Sequence, residues 1–449
     1  MMPPEADPRQ SGPCEQVDHL QQLRALLSNL YNSQDLSDLL IVVNGSLSVH
    51  CHRLLLAAQS SVFKTMLSSR RWPEAQQQTI SLTEEEQCLP YFEDFLRYFY
   101  SGALTLSTDN ALPVSMLADK YNVVSLKKCC EEFMVKNVAT PGKCNRAIQW
   151  RQYAKLADLT ELKEACDRFI PWNMDTVIRS PVWRSIDSAY LCDLLQRSDL
   201  VVESEMTLLK AAVDWLAGRP KETPTVLQHI RFPMIKPNEL YHYQAGHKVD
   251  TDIYRYIEKE ILLTYQANSV DIEILSQNNS VSSATFSPRL YKSTDNGSLL
   301  EIRGYSNQAK RAHQIKFRTK VMLADCEWAL TFHPKGETIT VQESVYNRHT
   351  GYKMNERVVE ENNRALTWRV QQLNRQQDHH EQSLTVLLQS FHNGSWFITG
   401  VRTFDTKPGQ LNRERDLIPE SEVGQYLSND SMRLHFIGRT VRKKDKEGK

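Results

Sequence analysis

The chain has 449 residues, enough for about three domains at roughly 150 residues each. Its 54 basic and 54 acidic side chains cancel to a net charge of zero, which gives no bulk attraction to nucleic acid or to an anionic membrane. With 41% apolar and 24% charged residues, and no apolar run of about 18 residues, the composition excludes a disordered chain and a membrane-spanning one.

Residues 1–14 read as a polar tail that begins MMPPEADPRQ. The tail lacks the basic and then apolar order of a signal peptide, which points to a cytoplasmic protein. Nine cysteines, an odd number with no CxxC pair, exclude a zinc finger and a redox motif and fit a reducing compartment. Asn44, Asn278, Asn296, Asn393 and Asn429 head N-x-S/T triplets, which matter only for a secreted chain.

Val17, Leu20, Leu23, Leu27 and Leu30 recur at three- and four-residue steps and predict an amphipathic helix. Leu39–Val43 is a short apolar strand that ends in Asn44-Gly45, a tight-turn dipeptide, and Leu47 and Val49 continue it as a hairpin. His52–Ala58 and Val62–Leu67 predict two short buried helices. Thr79–Leu82 follows as a strand, and Cys88–Tyr100 as an aromatic helix. Two more helices are expected around Ala111–Tyr121 and Val124–Asn137.

From Cys144 to about Tyr265 the pattern is helical almost throughout. Ser204 suits the N-cap of a helix that runs to Leu216, with Glu205 favourably placed against the helix dipole. Gly218 and Pro220 stop that helix. Residues 268–286 are rich in Ser, Asn and Gln, a linker composition. Beyond them Ile315, Phe317 and Val321, then Leu384, Val386 and Leu388, then Trp396 and Ile398, then Met432, Leu434 and Phe436 alternate with period two. With turns at Pro334-Lys335-Gly336 and Asn393-Gly394 this predicts antiparallel strands. The fold class is multidomain α+β: an α/β module, an all-α module and an antiparallel β-sandwich.

The segments SDLLIVVNGSLSVHCHRLLLAAQSSVFKTML (37–67), ISLTEEEQCLPYFEDFLRYFYSGALTL (80–106) and LADKYNVVSLKKCCEEFM (117–134) resemble the BTB/POZ family in the order of their parts. YAKLADLTELKEACDRFIPWN (153–173), LLQRSDLVVESE (194–205) and AAVDWL (211–216) resemble the BACK domain that often follows BTB. The β-rich remainder is similar to TRAF-like C-terminal regions of BTB/POZ proteins. The resemblance implies a BTB domain over 15–137, a BACK domain over 143–267, a linker over 268–286 and a TRAF-like domain over 287–445. The first two modules are also similar to those of the galectin-3-binding protein family. Only 16 glycines and no C-x-x-C or H-x-x-x-H clusters argue against a kelch adaptor and a zinc-finger DNA reader.

The resemblance implies a homodimer in which the first helix (Leu20, Leu23, Leu27) meets its counterpart, and in which Asp38 and Arg53 share a charged interface pocket. The bland alternatives are packing of that helix on its own core, a turn cap at Asp38 and a solvent-directed Arg53. It also implies that Trp72 and Glu74, with Tyr100, contact cullin-3; otherwise Trp72 merely covers a core edge. His379-His380 suggest no metal site, because successive side chains on a strand point oppositely, and Cys129-Cys130 read as a packing pair. The basic end RTVRKKDKEGK reads as solubilising. No catalytic motif is visible. The expected function is a non-enzymatic adaptor without cofactor, dimeric through BTB, with the resemblance implying a substrate-adaptor role for a cullin-3 ubiquitin ligase, with an unknown protein partner for the β-module and with no nucleic acid or membrane. A secreted scaffold, with a signal peptide encoded upstream, is the competing reading.

Overall fold

A computed structural model describes residues 18–68, 71–246, 252–270, 274–275, 283–293, 297–305, 307, 315–321, 326–333, 337–346, 353–363, 366–372, 381–406, 411–418 and 420–441. Val17, the N-terminal tail with Cys14, Asn278, Asn296, the 334–336 turn, His379-His380 and the basic end from residue 442 lie outside them. The chain folds as two compact units, residues 1–136 and 137–449.

The first unit runs α1 (Leu20–Asn29), β1 (Leu39–Val43), β2 (Leu47–Cys51), α2 (Arg53–Gln59), α3 (Ser61–Ser68), β3 (Thr79–Leu82), α4 (Leu89–Ser101), α5 (Ala111–Lys120) and α6 (Val124–Lys136). Asn44 and Gly45 take φ of 48° and 70°. Two successive left-handed residues match the strand twist, so the β1–β2 hairpin forms where the sequence places it. Strand β1 is central, antiparallel to β2 and parallel to β3. Its Leu39, Ile41 and Val43 all point inward. On α4 the 3.6-residue period brings Phe92, Phe95, Leu96 and Phe99 to one buried face. There Phe63 stacks on Tyr121 at 4.5 Å and Phe99 meets Phe63 edge-on. Gly102, at φ 61°, ends α4 in the left-handed conformation. The Tyr121 hydroxyl donates to Glu84 Oε1 at 2.5 Å and Lys120 Nζ lies 2.9 Å from the same oxygen.

The second unit begins with eight helices: α7 (Ala147–Leu156), α8 (Thr160–Trp172), α9 (Met174–Ile178), α10 (Ser188–Gln196), α11 (Glu205–Leu216), α12 (Thr223–Leu227), α13 (Pro237–Gly246) and α14 (Asp252–Ser269). The two-residue strand β4 (Val201–Val202) precedes α11. After them come β5 (Leu290–Tyr291), β6 (Gly297–Arg303), β7 (Ile315–Val321), β8 (Cys326–His333), β9 (Glu337–Tyr346), β10 (Lys353–Asn363), β11 (Leu366–Gln372), β12 (Glu381–His392), β13 (Ser395–Thr406), β14 (Leu411–Ile418), β15 (Leu427–Ser428) and β16 (Ser431–Val441). One sheet has the order β13-β12-β16-β15 with β6 also on β16, and a second has the order β14-β11-β8-β7. Strands β9 and β10 form a long hairpin, and every pairing from β6 onward is antiparallel.

The linker-like composition of 268–286 does not separate the helical and stranded parts. Strand β5 pairs in parallel with β4, and Val201, Leu290, Leu387, Ile398 and Ile437 form one cluster with Trp172 and Val401 against it. The Asn173 side chain accepts from the Ile398 N–H and donates to the Ile398 carbonyl, each at 2.9 Å, as a strand neighbour would.

A buried charge pair closes the same junction. Glu205, in the first turn of α11 where the helix dipole favours it, is also buried, and Arg289 Nε lies 3.0 Å from its Oε2, both side chains fully excluded from solvent. Tyr291 donates to Glu205 Oε2 at 2.6 Å and the Arg231 N–H to Oε1 at 2.8 Å. Burial, and then the adjacent carboxylate, hold the Tyr291 phenol well above its ordinary pKa. Ser204 caps α11 as expected, its Oγ accepting from the Thr207 N–H at 3.3 Å.

Candidate interaction site

Helix α1 runs beside α4 and buries none of its residues. Leu20, Leu23 and Leu26 are 69%, 53% and 65% exposed, and Leu27 is half-buried. Packing on the helix's own core, the bland alternative, therefore leaves most of the apolar face uncovered. The chain after it is pinned by Tyr31, whose hydroxyl donates to the Glu93 carbonyl at 3.2 Å beneath the Arg97 guanidinium.

Asp38 is exposed, and its Oδ1 accepts from the Arg53 N–H at 2.8 Å, fixing the start of α2. Arg53 neither pairs with the Asp38 carboxylate through its side chain nor points to solvent. Its Nη1 donates to the carbonyls of Leu67, Glu74 and Ala75, each at 3.3 Å, and its Nη2 to that of Gln77. The expected interface pocket therefore meets a guanidinium already engaged inside its own chain.

Those carbonyls belong to the segment that carries Trp72 and Glu74. Trp72 is extended before Pro73, which opens a short 3-10 turn, Pro73–Ala75, as a fixed proline φ favours. Trp72 is 50% exposed. Glu74 turns Oε2 inward, where no described donor meets it. Tyr100 does not join this surface. It is 2% exposed, and its hydroxyl accepts from the His52 N–H at 3.0 Å. Burial raises its pKa and pushes the neighbouring Cys51 thiol up to about 12. The correction is physical: α4 turns its aromatic face inward, and Tyr100 lies on that face.

Among the described residues no three His, Cys, Asp or Glu side chains gather as a metal site, and no helix is long and apolar enough to cross a membrane. Cys51, Cys88, Cys130, Cys166 and Cys192 are buried free thiols, and Cys129 and Cys144 are exposed ones. Sequence reasoning missed two features, the carbonyl cage of Arg53 and the Glu205–Arg289 pair. No local pattern marks either one.

Three family models match this architecture in order. They are the BTB/POZ domain over residues 27–138, BACK (BTB And C-terminal Kelch) over 147–245, and the BTBD17 TRAF domain over 286–442. The chain carries BTB/POZ, BACK and BTBD17 TRAF domains in that order. BTB/POZ domain-containing protein 17 of Xenopus laevis is 30% identical over 314 residues, 68% of this chain and 64% of the relative. The protein of that name from Mus musculus is 36% identical over 238 residues, 51% of this chain and 48% of the relative. Galectin-3-binding protein of Rattus norvegicus is 26% identical over 304 residues, 64% of this chain and 51% of the relative. The chain thus spans from about half to just under two thirds of the length of these relatives. BTB, BACK and TRAF-type domains are interaction modules rather than enzyme families.

Proposed function

We propose that this BTB–BACK–TRAF protein is a non-enzymatic cytoplasmic adaptor that dimerises through α1 and offers the Trp72–Glu74 loop to the N-terminal domain of cullin-3. The uncovered apolar face of α1 carries the reading. An amphipathic helix gains stability by burying its face, and a second copy of the same face satisfies this in a two-fold contact. Asp38, exposed beside the start of α2, belongs to that contact, whereas Arg53 serves the loop. The half-exposed Trp72 supplies an aromatic anchor of the kind that dominates interface energy, with Glu74 beside it in the same turn. Tyr100 is left out of the contact because it is buried. Exposed free thiols at Cys129 and Cys144 support a reducing compartment. The TRAF domain is the element left to hold a protein substrate.

One preparation of the full chain tests both surfaces. Light scattering should give twice the chain mass at tens of micromolar, the order of concentration at which an obligate contact is filled; a monomer there overturns the dimer. The purified cullin-3 N-terminal domain should be captured by the wild type, and Trp72→Ala should weaken capture by about 2 kcal/mol while leaving the dimer intact. Absence of capture by the wild type retires the ligase role. Sugar found on Asn278 or Asn393 in material from its native cell would assign the secreted scaffold instead.

A further inference from the structure

Arg53 lies at the hinge between two features that the sequence treats separately, the Asp38 strand entry and the Trp72 loop. Its N–H is held by Asp38 Oδ1 and its Nε reaches the Asp38 carbonyl at 3.4 Å. The far end of the side chain touches both sides of one loop: Leu67, in the last turn of α3, and Glu74, Ala75 and Gln77 on the return to β3. Helix-end carbonyls lack intrahelical partners and carry partial negative charge, so a guanidinium suits them.

The loop has few ties of its own. Within it the Ala75 N–H donates to the Trp72 carbonyl at 3.2 Å and the Gln76 N–H to the Pro73 carbonyl at 3.1 Å, while the Leu40 N–H holds the Gln78 carbonyl at 2.7 Å where β3 begins. Arg53 joins its two limbs, from the end of α3 to the return toward β3. A planar fork with five donors does this at one point; an ammonium on a flexible stem cannot hold the same carbonyls together.

We propose that Arg53 is the positioning residue of the partner loop, fixing the direction in which Trp72 faces a docking protein. The inference rests on the reading of that loop as the cullin-3 contact. Asp38 acts one step back, by fixing the backbone from which Arg53 extends. Holding a loop in its bound shape raises affinity by removing the ordering that binding would otherwise require.

The test uses the full chain with Arg53→Lys, and with Arg53→Gln as a second variant should the first retain partial contacts. Amide exchange over residues 71–78 should quicken by about tenfold or more in Arg53→Lys while the β1–β2 hairpin and α4 stay protected. Capture of the cullin-3 N-terminal domain should weaken by about tenfold with the dimer retained. In a Trp72→Ala background, Arg53→Lys should add no further loss, because both act through one element. Unchanged exchange over 71–78 overturns the proposal, as does an Arg53→Lys effect that persists in full beside Trp72→Ala. Failure of the wild type to bind cullin-3 removes the docking reading alone, and the exchange measurement still decides whether Arg53 orders the loop.

Discussion

Helix α1 and helix α11 both carry apolar residues at three- and four-residue steps, yet α1 buries none of its residues and α11 buries eight. Helix α11 begins on a Ser204 cap, and its first residue is sealed by Arg289 from the stranded part of the unit. At α1 the N-cap position is His19, whose side chain makes no cap bond, and the leucines face outward. The same periodicity therefore says only that a face wants cover. Whether the cover comes from the same chain is decided by what the rest of the chain brings to it.

The largest expected effect lies on the covered side. Arg289→Met leaves Glu205 buried with its charge unmatched, and removing one partner of a buried pair costs about 3 kcal/mol or more. Urea unfolding of the full chain should show the second unit melting early, and an unmoved midpoint would mean that the junction does not depend on this pair. His435 offers a pH test of the same unit. Its pKa is lowered to about 4, first by burial and then by the Lys292 charge. The folded state thus keeps the neutral ring while the unfolded chain titrates near 6.5. The contribution is complete above pH 6.5 and is lost as pH falls toward 4, because there the unfolded chain binds the extra proton. His435→Gln should flatten that part of the stability–pH curve, measured by thermal melts in a buffer series.

On the uncovered side, Leu23→Asp should leave the fold intact but weaken the dimer by about 2 kcal/mol, some thirtyfold in dissociation constant. Sedimentation across a concentration series reads this, and an unchanged dimer would move the contact away from α1. The smallest effect is Ser204→Ala, about 1 kcal/mol from loss of one N-cap bond. It is visible only in the unfolding of the second unit and should leave the dimer unaffected.

Much of the architecture was legible in the residues themselves. The Asn44-Gly45 turn, the aromatic face of α4, the Ser204 cap and the period-two runs of β12, β13 and β16 are local signals, readable within a few residues. The interaction surfaces were less so. Leu20, Leu23 and Trp72 lie open to solvent, whereas Tyr100 turns inward with its helix face. Arg53 found backbone carbonyls up to 24 residues away.

What the amino-acid order determined by itself is therefore the set of elements, their ends and their apolar faces, since hydrogen-bond period, φ preference and capping act over one or two turns. Only the tertiary structure decided which charges meet. Arg289 reaches Glu205 across 84 residues of sequence because β5 pairs with β4 beside the start of α11. A buried charge must find its partner wherever the topology brings one, and no local pattern encodes that meeting.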